Sequence, residues 1–262
     1  MTYTTTRDGT RIAYQLQGEG PALVLLAGQA NSHHWWDSVR VDFHPVRTTL
    51  TLDYRGTGES DKPDILHSTE LFAQDVIAVL DDLGIDRADI YGTSMGGRVA
   101  QHLAARHPHC VNALILGCTS PGGPHSIERG NDVRRALAQP QPAAARQACW
   151  NSRTHPAGSP TTPGHTTPSA TPTRRPSPGV TTSRSATGTT PETSCPRISA
   201  PTLVLHGSDD LLNPTANAPL LADRIPDARV HLFPDTRHAY FEEARTHASP
   251  LVLDFLTATH QP

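Results

Sequence analysis

The string Gly92-Thr93-Ser94-Met95-Gly96 follows the apolar run Ala88-Asp89-Ile90-Tyr91 and precedes the helix-compatible stretch Arg98-Val99-Ala100-Gln101-His102-Leu103. A serine flanked by glycines two residues away on either side, between strand and helix, predicts a sharp turn with Ser94 at its apex. Glycines at those positions let strand and helix approach without Cβ clashes. The helix N-terminus adds amide donors and the positive end of a dipole where an oxyanion would develop. Ser94 is therefore the first candidate for a nucleophile.

The surrounding chain repeats one grammar. Short apolar runs at Ile12 to Gln17, Ala22 to Leu26, Thr48 to Leu52, Ala88 to Tyr91 and Val111 to Leu116 read as strands. Amphipathic stretches alternate with them, which predicts a mainly parallel α/β sheet. Leu71, Phe72, Asp75, Val76, Val79, Leu80 and Leu83 mark one helical face, and Gly84 is placed to stop that helix. The pattern returns late in the chain, with strands at Thr202 to Leu205 and Arg229 to Phe233. Helices are expected at Thr215 to Arg224 and, closing the chain, at Tyr240 to Thr259. At 262 residues the chain can bury a substantial core as one large domain or two small ones.

A formal net charge of -3 gives no reason to expect a nucleic-acid partner. The longest apolar run, Ala22 to Ala27, is far too short to span a bilayer, and Met1 to Asp8 lacks the basic-then-apolar pattern of a signal peptide. A cytoplasmic protein without a membrane partner is the expectation. Cys110, Cys118, Cys149 and Cys195 fall into neither CxxC pairs nor a metal-ligand spacing and read as ordinary thiols. Neither a metal nor an oligomeric state is indicated.

Residues 151–194 break the pattern. Thr, Pro and Ser dominate, Val180 is the only large aliphatic residue, and no aromatic occurs. Such a composition cannot bury enough apolar surface to pack. The chain accordingly divides into 1–120 and 200–262 as two parts of one core, with 121–199 as a cap-like insertion. Thr187 to Ser194 can be written in G+C-rich codons whose shifted frame is more helix-compatible, which suggests a frameshifted cap. The coding DNA read in all three frames decides this.

A second motif, Asp53-Tyr54-Arg55-Gly56-Thr57-Gly58-Glu59-Ser60, ends a strand. Together with Gly92-Thr93-Ser94-Met95-Gly96-Gly97 it resembles the α/β-hydrolase superfamily, over about residues 8 to 120 and 200 to 260. The resemblance implies that the first motif is a tight turn bordering the pocket, with structural roles for Asp53 and Arg55. It also implies a triad in the chain order Ser, acid, His.

His206-Gly207-Ser208-Asp209-Asp210 looks like the superfamily's Gly-x-x-Asp loop, which places the acid at Asp210, with Asp209 as the alternative. Arg237-His238-Ala239-Tyr240-Phe241-Glu242-Glu243 resembles its terminal His loop and points to His238 as base, although Arg237 stands where the superfamily usually has Gly. By the same resemblance, the oxyanion hole would use the Met95 amide and the amide of Gln29. Ala27 replaces the His often found before the Gly of that loop, and Gln29 offers its side chain as a further donor. Trp35 and Trp36 are candidates for lining the pocket or for the core.

The implied chemistry is attack by Ser94 on an acyl carbonyl, with no cofactor, followed by hydrolysis of an acyl-enzyme. A serine at the elbow separates the chain from relatives with an Asp nucleophile. It is most similar to small bacterial esterases, enol-lactonases and cofactor-free haloperoxidases, so a small ester or lactone is the expected substrate. The alternatives are a catalytically impaired hydrolase fold, acting as a binding module or carrying a damaged cap, and an acyltransferase using the same residues.

Overall fold

A computed structural model describes residues 1–138, 154 and 195–260. The low-complexity stretch 151–194 lies outside the described residues except for Thr154, and Cys149 is also outside. Eight strands form one sheet in the order β1-β2-β4-β3-β5-β6-β7-β8. They are β1 (Thr2–Thr5), β2 (Arg11–Gln17), β3 (Ala22–Leu26), β4 (Thr48–Leu52), β5 (Ala88–Thr93), β6 (Val111–Gly117), β7 (Thr202–Gly207) and β8 (Ala228–Phe233). β1 and β2 pair antiparallel with each other, and β2 pairs antiparallel with β4. Every other pairing is parallel.

The central strands are continuous apolar runs because both faces are covered. On one face Val24, Leu26, Leu50, Ile90, Leu114, Leu116 and Val204 pack beneath α1 (Thr69–Asp82) and α2 (Met95–Arg106). On the other, Leu23, Leu25, Tyr91, Ile115 and Leu205 meet Trp36, Phe43 and the C-terminal helices. The helix over residues 69–82 starts where Ser68 Oγ accepts the Leu71 N–H at 3.1 Å, and Gly84 follows it at φ 64°. Two short elements, the 3₁₀ turn Gly123–His125 and α3 (Asn131–Leu137), follow β6. Cys195 and Ile198 are buried in the same cluster as α2, so the core resumes by residue 195.

The structure departs from the expected elements in three places. β1 adds an edge strand that the polar Thr-rich N-terminus did not suggest; only Thr4 of its residues is buried, so no apolar run marks it. The helix expected at 215–224 narrows to α4 (Asn217–Ala222). The closing helix is two, α5 (Tyr240–Glu243) and α6 (Arg245–Thr259), because Ala244 at φ -108° and ψ 28° leaves the helical region. That break lets Tyr240 and Phe241 bury while Arg245 Nε bonds Asp42 Oδ2 at 2.8 Å.

Arg55 lies inside the protein with its guanidinium on Asp75, Nε to Oδ2 at 2.8 Å, and both side chains are 1% exposed. The contact ties the loop after β4 to α1. Asp75→Leu leaves the buried guanidinium with only the half-exposed Asp8, 2.7 Å from Nη1, as partner, so it is expected to lower unfolding stability in urea by about 2–4 kcal/mol. The double variant Arg55→Met/Asp75→Leu should recover much of that loss. Equal losses would contradict a net ionic coupling.

Candidate active site

The parallel strands β5, β7 and β8 end on one edge of the sheet, and the loops that leave them there carry Ser94, Asp210 and His238. Ser94 sits between β5 and α2 at φ 55° and ψ -118°, a left-handed conformation that a side chain rarely adopts. Its surroundings enforce it. A Cβ on Gly96 would stand 2.6 Å from the Ala27 carbonyl oxygen, and one on Gly97 would stand 2.6 Å from Thr119 Cβ. A Cβ on Gly92 would collide with the backbone of Gly96. The Ser94 N–H donates to the Gly117 carbonyl at 2.8 Å, and Thr119 Oγ1 donates to the Ser94 carbonyl at 2.6 Å. The Ser94 turn is thus pinned on both sides to the end of β6 and the residues just after it.

Met95 is the first residue of α2, where a backbone N–H has no intrahelical acceptor. Gly28 borders the serine from the loop after β3, since a Cβ there would lie 3.8 Å from Ser94 Oγ. Gln29 follows it, exposed, and Ala30 turns the chain at φ 59°. The two tryptophans separate. Trp35 is half-buried, and its indole N–H donates to Thr93 Oγ1 at 2.9 Å, directly before the serine. Trp36 has no exposed surface and packs on Tyr91 and Phe241.

Asp210 and His238 come together. The His238 Nδ1–H donates to Asp210 Oδ2 at 2.8 Å, and both residues are buried. A carboxylate can only accept, so this bond leaves Nε2 of His238 as the acceptor nitrogen. Asp210 Oδ1 takes the N–H groups of Leu212 and Asn213 at 2.9 and 3.0 Å. Burial pushes the Asp210 carboxyl up, but the charge of His238 and the hydrogen bonds from His206 and His238 outweigh it and hold the group well below the usual carboxylate range. Asp209, by contrast, is exposed and takes a bond from Ser208 Oγ at 3.0 Å.

The two loops are clamped to one another. Asp209 N–H donates to the Thr236 carbonyl at 2.9 Å, and any Cβ on Gly207 would strike the Thr236 and Arg237 carbonyls. Arg237, in the position where the superfamily usually has Gly, sends its backbone N–H to Glu243 Oε1 at 3.0 Å and its Nη1 to the Thr154 carbonyl at 3.3 Å.

Three site residues were not singled out in the sequence. His206 Nε2 lies 3.1 Å from Asp210 Oδ2; a histidine closing the apolar run Thr202 to Leu205 was the available signal. Asn213 Nδ2 donates to the Cys118 carbonyl at 2.8 Å and ties the acid loop to β6. His33 is held by Asp53, which takes its backbone N–H at 2.6 Å and its Nδ1–H at 2.9 Å. The Asp53 carboxylate also takes the Glu59 N–H at 2.8 Å, so it joins its own turn to the chain just beyond Gly28 and Gln29.

A family model described as "Serine aminopeptidase, S33" matches residues 47–245, more than half of the chain. The chain belongs to this α/β-hydrolase family. Among curated relatives, "Uncharacterized protein Mb2734" of Mycobacterium bovis is 36% identical over 118 residues, which is 45% of this chain and 34% of that protein. The chain thus spans about a third of the length of the first relatives it matches. The α/β-hydrolase is also similar to "2-hydroxymuconate semialdehyde hydrolase" of Pseudomonas sp. CF600, 28% identical over 264 residues, covering 92% of this chain and 85% of the relative. Among solved structures, an esterase of Exiguobacterium antarcticum superposes with a TM-score of 0.78 at 20% identity, covering 98% of this chain and 99% of the other. The enol-lactonase of Burkholderia xenovorans LB400 superposes with a TM-score of 0.75 at 22% identity, covering 98% and 100%. These likenesses show the fold. Among the described residues, no helix of this α/β-hydrolase is long and apolar enough to cross a membrane.

Asp53→Ala would strand the two donors of buried His33, while the N–H of exposed Glu59 can turn to water. An unsatisfied buried donor costs about 1–3 kcal/mol, so the expected loss in a urea melt is at least about 2 kcal/mol. A loss under about 1 kcal/mol would show that the clasp contributes little.

Proposed function

We propose that this α/β-hydrolase is a serine hydrolase that cleaves a small carboxylic ester or lactone through an acyl-enzyme on Ser94. The observation that carries the reading is the buried Asp210–His238 bond, 2.8 Å through Nδ1, at the strand edge where Ser94 is held at positive φ. In this reading His238 Nε2 takes the Ser94 hydroxyl proton as Oγ bonds to the substrate carbonyl carbon. The oxyanion is met by the N–H of Met95 and the N–H of Gln29. The C–O bond to the leaving group then breaks, and the imidazolium returns its proton to the departing oxygen. Water, deprotonated by the same nitrogen, releases the acid and restores the serine.

The substrate class rests on likeness to an esterase and an enol-lactonase that share the fold. In this reading residues 1–120 and 200–262 carry the core and 121–199 a cap-like region, with Trp35 as the aromatic wall nearest the serine. Trp36, fully buried, serves the core. Cys110, Cys118 and Cys195 are buried thiols, which fits a cytoplasmic setting.

A fluorophosphonate probe should label the folded protein at Ser94 alone, by peptide mapping, and Ser94→Ala should abolish labelling. Labelling elsewhere, or none on a folded sample, would overturn the proposal. With a p-nitrophenyl ester, kcat/KM should rise with pH as the base loses its proton. Asp210→Asn should lower kcat by about 10³- to 10⁴-fold by disfavouring the productive tautomer. Retention of kcat within about tenfold would rule out Asp210 as the orienting acid.

A further inference from the structure

His206 is a buried imidazole that the triad leaves unexplained. It lies in β7, opposite Leu232 of β8, and has no exposed surface. Its Nε2 is 2.8 Å from the Asn213 carbonyl oxygen and 3.1 Å from Asp210 Oδ2, the carboxylate oxygen that His238 also approaches. Its Nδ1 is buried and meets no hydrogen-bonding partner among the described residues. This asymmetry assigns the proton. Both neighbours of Nε2 are acceptors, so Nε2 carries the hydrogen, while a hydrogen on Nδ1 would be a buried donor with nothing to receive it.

We propose that His206 is a positioning residue for the Asp210–His238 pair: its Nε2–H is shared between the Asn213 carbonyl and Asp210 Oδ2. It fixes the carboxylate oxygen that faces His238 and takes up part of its negative charge. The Leu212 and Asn213 amides fix only the other oxygen. The inference rests on the reading of His238 as the base.

The ionisable groups around Asp210 are few. His206 faces it from β7 and His238 from the loop after β8. The buried Tyr240 hydroxyl of α5, 2.7 Å from that of Tyr91, is close enough to feel its charge. Asp209 lies exposed beside it, and Arg237 flanks His238. No Lys or Arg forms an ion pair with Asp210 among the described residues. Two N–H donors therefore compete for one oxygen. Removing the His206 donor leaves more negative charge facing His238, which favours its protonated form and keeps the base occupied to higher pH.

Two measurements test this. In ¹⁵N-histidine NMR of the whole protein, with His206 assigned from His206→Gln, the ring should carry its proton on Nε2 and none on Nδ1. Its Nε2–H resonance should also shift in Asp210→Asn. An Nδ1–H tautomer or an unmoved resonance would overturn the proposal, and neither reading depends on activity. In kinetics with a p-nitrophenyl ester, His206→Phe should move the acid limb of kcat/KM up by about half a pH unit or more. Its kcat should fall about tenfold with KM unchanged.

His206→Gln, whose amide nitrogen can reach the place of Nε2, should keep kcat within about threefold and leave the limb in place. A wild-type limb in His206→Phe, or equal losses in both variants, would reduce His206 to space-filling. If the wild-type protein turns over no ester, the hydrolase reading fails while the NMR still decides the place of His206.

Discussion

The close approach of β5 and α2 at Ser94 is the constraint on which the site depends. It requires three positions without a Cβ, at Gly92, Gly96 and Gly97, because backbone of β3 and α2 and the side chain of Thr119 occupy the space. The serine is left at φ 55°, a conformation retained only because bonds to Gly117 and from Thr119 hold both sides of it. The same geometry makes Ser94 the residue that opens α2. The strain at Ser94 and its place at the helix start are thus consequences of one packing contact.

Around that turn, polar contacts lock the loops that the apolar core leaves open. Asp53 ties the loop after β4 to His33, Asn213 ties the acid loop to Cys118, and Thr236 ties the His loop to Asp209. Each of these donors finds an acceptor, which narrows the arrangements open to each loop. Asp210 lies at the centre of this network with three N–H groups on its two oxygens and His206 Nε2 3.1 Å from one of them. Its charge is kept in a buried place because the protein solvates it as water would.

Most of this was legible in the sequence where a residue type has only one physical use. Glycines two residues to either side of a serine between strand and helix state the turn, and alternating apolar runs state the parallel sheet. Adjacent Asp209 and Asp210 could not be separated by composition; burial separates them, since only Asp210 turns inward to His238. Trp35 and Trp36 were equally ambiguous until one met Thr93 and the other the core. His206 was hidden because its role comes from a neighbour four residues on, across a turn whose path no pattern of hydropathy encodes. β1 escaped because an edge strand of threonines, with one buried residue, carries no apolar signal.

The central claim is that Ser94 becomes acylated. Rapid mixing of the whole protein with a p-nitrophenyl ester should give a nitrophenolate burst of about one equivalent, and intact mass of an acid-quenched sample should show one acyl group mapped to Ser94. Turnover without a burst or adduct in wild-type protein, or undiminished turnover in Ser94→Ala, would contradict the account.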